Sequence, residues 1–195
     1  ILYFYNIKNK IDNFYQSNAF LYEKEKLKKS NLLYQSHLLP KMYFKENLSQ
    51  HSRFLRIRIK AAEKSKYFEL TEDDFKIKYI NNHNNKLNKF IRNNNFIYKN
   101  FFLNEFLRNI DCFLLSEDYF DNFIRRFLFK INVSNFLINC LTFEENKKID
   151  LNDYIEVISA VSKTFQNSKE ANMLMINFFK KLDKNNLFLR LFDIY

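Results

Sequence analysis

Apolar side chains recur every three or four residues along much of the chain, which is the spacing of one face of an α-helix. Two stripes near the C-terminal end show this spacing most clearly, and Asn167 with Ser168 between them predicts a turn and an N-cap. The first stripe is Leu151, Tyr154, Ile155, Ile158, Val161 and Phe165, and the second is Ala171, Leu174, Met175, Phe178, Phe179 and Leu182. We interpret both stripes as helix faces that pack into one core.

A repeated helix start is the second regularity of the chain. In each copy an apolar residue precedes acidic or hydroxylated residues and then an aromatic or aliphatic pair. The copies begin at Leu70, Leu115, Ile149 and, more loosely, Leu189, at intervals of about 34 to 45 residues. This recurrence predicts an all-α fold of helical hairpins.

The first half of the chain shows weaker patterns. One helix is predicted from Asn18 to Tyr34, and Pro40 is expected to break it. Residues 53–66 are predicted to be helical, although the alternation from 55 to 60 also suits a short strand. Asparagines at 81–85 and 93–95 indicate a low-complexity connection.

These patterns divide the chain into an N-terminal extension, 1–52, with one helix and an all-α domain, 53–195. The domain is open to division into lobes 53–130 and 131–195, with an Asn-rich insert at 81–99. The uncharged run at 131–143 is shorter than the roughly 20 residues of a bilayer helix, so it predicts a buried core helix and no membrane span. The chain begins at Ile1, which indicates a processed form or a fragment.

The composition excludes several classes of enzyme. The 195 residues include 24 Phe and 12 Tyr but no Gly, where ordinary usage predicts roughly 14 glycines. We attribute this bias to an A+T-rich genome. Phosphate-binding loops, dinucleotide-binding turns and the nucleophile elbow of serine hydrolases all require glycine, so those frameworks are absent. Turns with positive φ are expected to use Asn or Asp.

The sequence gives little indication of a metal site or of a reactive cysteine. His37, His51 and His83 are scattered, and so are Cys112 and Cys140, without the close pairs of a zinc site. We therefore expect no metal and no cofactor. Two free cysteines in apolar surroundings indicate a reducing intracellular compartment, either cytoplasmic or mitochondrial.

The charge of the chain is strongly positive, at +10. Residues 53–66 concentrate this charge, and Arg53, Arg56, Arg58 and Lys60 are the candidate contacts for phosphates or RNA. A solvated basic helix face is the alternative interpretation. No set of titratable residues converges as an active site would require, so the sequence predicts no catalytic residue and no enzyme.

The stretch from 138 to 154 resembles an EF-hand, with an entering helix, a roughly 12-residue loop and an exiting helix. Weaker copies at 59–75, 103–116 and 179–194 would make two degenerate EF-hand pairs, a calmodulin-like arrangement over residues 54–195. The residues that carry the resemblance most clearly are Ile138, Leu141, Thr142, Glu144, Asn146, Ile149, Asp150, Asp153 and Tyr154.

The loop departs from the calcium-binding pattern. Thr142 stands at its first position, Lys147 replaces the glycine, and Asp153 replaces the final glutamate. The resemblance therefore implies a body that binds without calcium. Calmodulin-like proteins clasp an amphipathic helix of a partner in a groove. Met175, Phe178 and Phe179 are the candidate residues for that contact.

Two functions follow from these patterns. The first is a non-catalytic scaffold or adaptor subunit that binds partner proteins in a larger assembly. The alternative is a basic helical subunit of a mitochondrial ribosome that contacts rRNA phosphates, since an offset of about 36 residues also resembles helical-repeat RNA-binding proteins. Small molecules are not expected as the main ligands. Whether the hairpins pair as EF-hands or stack as repeats stays open.

Overall fold

Every regular element is helical in the part of the chain that the structure describes, which confirms the all-α prediction. The computed structural model describes residues 32, 35–37, 39–44, 52–109, 117–144, 147–169, 171–173 and 175–176. Its helices are α1 (Ser52–Ser65), α2 (Glu72–Asn82), a π-helical turn (His83–Leu87), α3 (Asn88–Asn93), α4 (Phe96–Arg108), α5 (Glu117–Leu141) and α6 (Leu151–Asn167). The described residues at 35–44 and 169–176 are also helical.

Helix α5 lies at the centre of the fold. It packs against α1 and α6 and also contacts α2 and the π-helical turn. Every residue from 127 to 143 is buried, so the prediction of a buried core helix is confirmed. None of the helices in the described ranges combines the length and apolarity that a membrane span requires.

Polar side chains on α5 are buried as well, and each of them bonds to a neighbour. The Asn82 amide donates to the Asn139 backbone carbonyl, 2.9 Å, and to the Thr142 hydroxyl, 3.1 Å. The Gln35 amide donates to the Asn132 side-chain oxygen at 2.8 Å. These bonds lower the cost of burying amides and set the register of the surrounding helices against α5.

Helix starts follow the pattern that the sequence predicts. Thr71 caps α2 by accepting from the Asp74 backbone N–H at 3.2 Å. Asp150 caps α6 by accepting from the backbone N–H groups of Asn152 and Asp153. Ser168 accepts from Ala171 N–H at 3.2 Å, which confirms the predicted N-cap there.

The left-handed residue after α1 is a lysine, whereas Asn or Asp was expected. Lys66 has a φ of 53°, and it allows Tyr67 N–H to bond the Ala62 carbonyl at 3.1 Å. This bond closes the end of α1 in the way that a glycine at this position usually permits. A lysine there accepts backbone strain that glycine would avoid.

Two predictions about breaks in helices are wrong. Residues 81–85 are helical and not a connection, because Asn82 bonds to α5 instead of competing for its own backbone. Only positions 94 and 95 form a turn. Pro40 lies among the helical residues 39–44. The φ angle that its ring fixes is compatible with a helix, and its missing N–H removes one hydrogen bond. The predicted helix at 18–34 lies outside the described residues except for position 32.

The stripe on α6 is confirmed at most of its positions. Tyr154, Ile158, Val161 and Phe165 are buried, whereas Ile155 is exposed. Ile155 follows Tyr154 directly, so it points away from the face that meets α5. The division into an extension, a domain and two lobes stays a prediction.

Candidate functional site

Helix α1 has one buried apolar face and exposes two of its cationic side chains on another face. Phe54, Ile57 and Ala61 are buried at the helical spacing of three and four residues. Arg56 and Lys60, four residues apart, are exposed on a shared face. The alternation at 55–60, which also suited a strand, therefore belongs to a helix whose long cations reach solvent.

The cationic face of α1 forms one wall of a groove, which we call the basic groove. The end of α5 contributes to its lining, and the loop before α6 and the first turns of α6 form the opposite side. The groove has a volume of about 330 Å³. Its lining residues are Arg53, Arg56, Ile57, Lys60, Leu141, Lys147, Asp153, Glu156 and Val157.

The charges of the basic groove are only partly paired. Arg53 Nε donates to Glu156 Oε1 at 3.0 Å, and both side chains are nearly half exposed. Arg56, Lys60 and Lys147 form no ion pair with another described residue. Four cations and two carboxylates leave the lining with a net charge of +2. The groove therefore favours an anionic ligand.

The apolar part of the groove consists of Ile57, Leu141 and Val157. All three side chains are largely buried, since each belongs to the core between α1, α5 and α6. A ligand in the groove would meet mainly charged side chains, with only the exposed edges of Ile57 and Leu141 between them. That combination suits a peptide, which carries both apolar and charged groups.

The structure brings together three of the four residues predicted to contact phosphates. Arg53, Arg56 and Lys60 line the groove, but Arg58 has only 9% of its surface exposed. Burial lowers the pKa of Arg58, and the nearby Tyr43 opposes that shift. Arg58 lies away from the groove because residues two apart on a helix face different sides. Phosphate binding by the other three stays a prediction.

Of the residues predicted to contact a partner helix, the structure describes only Met175. Met175 is 2% exposed and belongs to the core, so its side chain offers no contact surface in this conformation. Phe178 and Phe179 lie outside the described residues. Met173, which was not predicted, is 56% exposed in the same segment. Sequence spacing alone does not distinguish the two methionines, because the segment packs through only one face.

Sequence reasoning missed the second wall of the groove. Lys147 and Asp153 were assigned to a degenerate calcium loop, and Glu156 to no role. The signal for Glu156 was absent locally, since its partner Arg53 is 103 residues away in the chain. Such a pairing depends on the way α1 and α6 pack together.

A second polar cluster is enclosed in the core. The hydroxyl of Tyr98 donates to Asn135 Oδ1 at 2.8 Å, and Tyr154 donates to the same oxygen and contacts the Tyr98 hydroxyl. All three side chains are buried. This cluster joins α4, α5 and α6 and is best explained as a structural network.

The described residues form an all-α fold that carries a charged groove. A family model described as "FliB lysine N-methylase C-terminal domain" matches residues 3–190. The chain therefore belongs to that family. No curated protein matches the chain significantly, and neither does any solved structure.

The family corrects several predictions. Membership of a lysine N-methylase family contradicts the EF-hand assignment, the non-enzyme prediction, the scaffold function and the ribosomal alternative. The supposed loop ligands serve other ends: the Thr142 hydroxyl donates to Ile138 O, Glu144 accepts from Lys64, and Asp150 caps α6. Capped helical hairpins place apolar and acidic residues at spacings similar to those of EF-hands, although they require no ion site. The described residues also contain no group of three or more potential metal ligands.

A lysine N-methylase also requires a methyl donor, for which S-adenosylmethionine is the usual chemical class. The groove does not fit this donor well. Its lining includes no aromatic ring that would stack on an adenine, and its net charge of +2 opposes a cationic sulfonium. We derive no methyl-transfer step from these residues.

Proposed function

We propose that the chain serves lysine N-methylation of proteins, as the domain through which the enzyme holds its protein substrate. The observation that carries this proposal is the family match over residues 3–190. The geometry supports the substrate-holding role, because the basic groove suits a peptide better than it suits a methyl donor. Since methyl donors of this class are made inside cells, we expect the protein to act in an intracellular compartment.

The direct test is a methylation assay with the complete gene product that contains this chain. The purified protein is incubated with isotopically labelled S-adenosylmethionine and with protein fractions from the same cells. Peptide mass spectrometry then locates the label. We expect label on lysine side chains of a limited set of proteins. Matched reactions without enzyme and without donor provide the background.

Two results would contradict the proposal. One is the absence of labelled lysine after the donor has been shown to bind. The other is label confined to a different residue type, which would indicate another methylation chemistry.

A further inference from the structure

We infer that the basic groove binds an extended acidic segment of the substrate protein, next to the lysine that is methylated. This inference rests on the proposed function and specifies the substrate that the groove selects. The inference is supported by the spacing of Arg56 and Lys60, by the absence of an ion pair between either of them and another described residue, and by the exposed edge of Ile57 between the walls. Each of these observations narrows the class of ligand.

The spacing of two cations matches the repeat of an extended peptide. Arg56 and Lys60 are both exposed on α1 and lie about 6 Å apart along the helix axis. Residues two apart in an extended chain are separated by roughly 7 Å, and their side chains point in the same direction. Two carboxylates separated by one residue would therefore face the two cations together.

The distribution of charges determines which part of the groove attracts the acidic residues of a ligand. Arg53 is engaged by Glu156, and that carboxylate partly neutralises one end of the α1 wall. Lys147 lies on the other side of the groove, near the Glu144 carboxyl, whose pKa is lowered chiefly by the hydrogen bond from Lys64 and further by the charges of Lys147 and Lys86. The least compensated part of the wall is thus the pair Arg56 and Lys60. We assign the acidic residues of the ligand to that part.

A nucleic acid fits the groove less well than an acidic peptide. The α1 wall from residue 53 to residue 60 spans only about 10 Å, which is too short for the series of phosphate contacts that nucleic-acid affinity requires. Asp153 and Glu156 would repel a continuous polyanion. Ile57, with 9% of its surface exposed, offers a small apolar contact for the residue between two carboxylates.

The sign of the groove also places the target lysine outside it. An ammonium group beside Arg56, Lys60 and Lys147 would meet like charges. The acidic segment therefore flanks the lysine and does not include it within the groove. Lysines in basic surroundings should accordingly be poor substrates.

Binding is tested by fluorescence anisotropy with the complete protein and a labelled peptide that carries Glu-Leu-Glu beside a lysine. The same peptide with Gln-Leu-Gln is the matched ligand control. We expect the double variant Arg56→Glu with Lys60→Glu to weaken binding of the acidic peptide by about tenfold or more. Lys89→Glu with Arg92→Glu changes the net charge equally on the exposed surface of α3 and should have less than about a twofold effect.

Three results would overturn the inference. They are equal weakening by both double variants, equal affinity for the acidic and the amide peptides, or tighter groove-dependent binding of an RNA oligonucleotide than of the acidic peptide. Circular dichroism shows whether each variant remains folded. If the Arg56 and Lys60 variant is unfolded, Arg56→Gln with Lys60→Gln replaces it, and unchanged affinity of that folded variant contradicts the inference.

Methylation kinetics separate this inference from the proposed function. The groove variant should raise the KM for a protein substrate with an acidic flank and leave kcat unchanged. Methylation with an unchanged KM contradicts the groove inference alone. Groove-dependent binding of the peptide by a protein that methylates no lysine contradicts the proposed function.

Discussion

Among the ion pairs that join helices in the described part of the chain, two differ mainly in their access to water. Glu105 on α4 and Lys130 on α5 lie 2.5 Å apart with 6% and 8% of their side chains exposed. Arg53 on α1 and Glu156 on α6 lie 3.0 Å apart with 41% and 46% exposed. The first pair belongs to the core, whereas the second lies in the lining of the basic groove.

The buried pair is supported by further contacts. The Ser162 hydroxyl donates to Glu105 at 2.8 Å, and Arg108 approaches the same carboxylate at 3.8 Å. Burial lowers the pKa of Lys130, and the attraction and hydrogen bond of Glu105 oppose that shift. The Lys130 ammonium therefore depends on the Glu105 carboxylate, whereas that carboxylate also has Ser162 and Arg108 beside it.

The comparison shows why the groove is adaptable and the core is not. Water screens Arg53 and Glu156, so either side chain can exchange its partner for a ligand at little cost. Little water reaches Glu105 and Lys130, so the loss of the Glu105 carboxylate leaves the buried Lys130 ammonium without its ion-pair partner. A binding surface and a fixed scaffold can thus use the same kind of ion pair.

The largest effect should come from breaking the buried pair. Glu105→Gln keeps the shape of the side chain but leaves the Lys130 ammonium without its carboxylate. We expect a loss of about 3–5 kcal/mol in the free energy of unfolding, measured by urea denaturation. The double variant with Lys130→Met should recover most of that loss. A single variant within about 0.5 kcal/mol of wild type would show that water reaches the pair.

A smaller effect is expected from the hydroxyl cluster of the core. Tyr154→Phe removes a donor to Asn135 Oδ1, but Tyr98 continues to donate to that oxygen. The expected loss is about 1 kcal/mol, because the acceptor stays satisfied. Asn135→Ala, which leaves both hydroxyls without this acceptor, should cost more. Equal losses for the two variants would argue against a shared acceptor.

The exposed pair of Arg53 and Glu156 should contribute least to the free energy of unfolding at neutral pH. Glu156→Gln is expected to change the free energy of unfolding by less than about 1 kcal/mol, and the difference should shrink at high salt. Chemical denaturation of wild type and variant at low and high ionic strength measures it. A loss comparable to that of Glu105→Gln would show that the basic groove is drier than its exposure indicates.

The surface pair of Lys64 and Glu144 tests the comparison by pH. A hydrogen bond from Lys64, 2.6 Å, holds the pKa of Glu144 below its ordinary range. Its stabilising contribution is therefore present above the ordinary pKa of about 4.3 and is lost as the pH falls through the folded-state value.

Thermal unfolding between about pH 6 and about pH 3 measures this loss. Glu144→Gln should flatten the acid side of the stability profile slightly, and Glu63→Gln serves as a matched control at an exposed position of α1. A steeper acid profile in the Glu144 variant would contradict the expected sign.

Local patterns predicted the helices well because their causes are local. The caps at Thr71 and Asp150 bond to backbone groups two or three residues ahead, so their sequence signature and their structure coincide. The stripe on α6 likewise follows from helix geometry. The same spacing of apolar and acidic residues led to the mistaken EF-hand assignment, because a capped helical hairpin shows that spacing without binding an ion.

Half of the charged residues that line the candidate site could be predicted from the sequence. Arg53, Arg56 and Lys60 stand out as a cluster within one helix. Lys147, Asp153 and Glu156 could not be assigned to the groove, because they meet α1 only through tertiary packing. Asn82 was mistaken for a loop residue because a side chain that bonds across 57 residues has no local signal.

The sequence by itself determined the helical class, most helix starts and the cationic face of α1, since each depends on residues within a few positions of one another. The tertiary structure decided which polar side chains are buried and what lies opposite the cations. Lys130 meets Glu105 across 25 residues and Arg53 meets Glu156 across 103. Burial and pairing at such separations depend on how whole helices pack, and no short stretch of sequence records that arrangement.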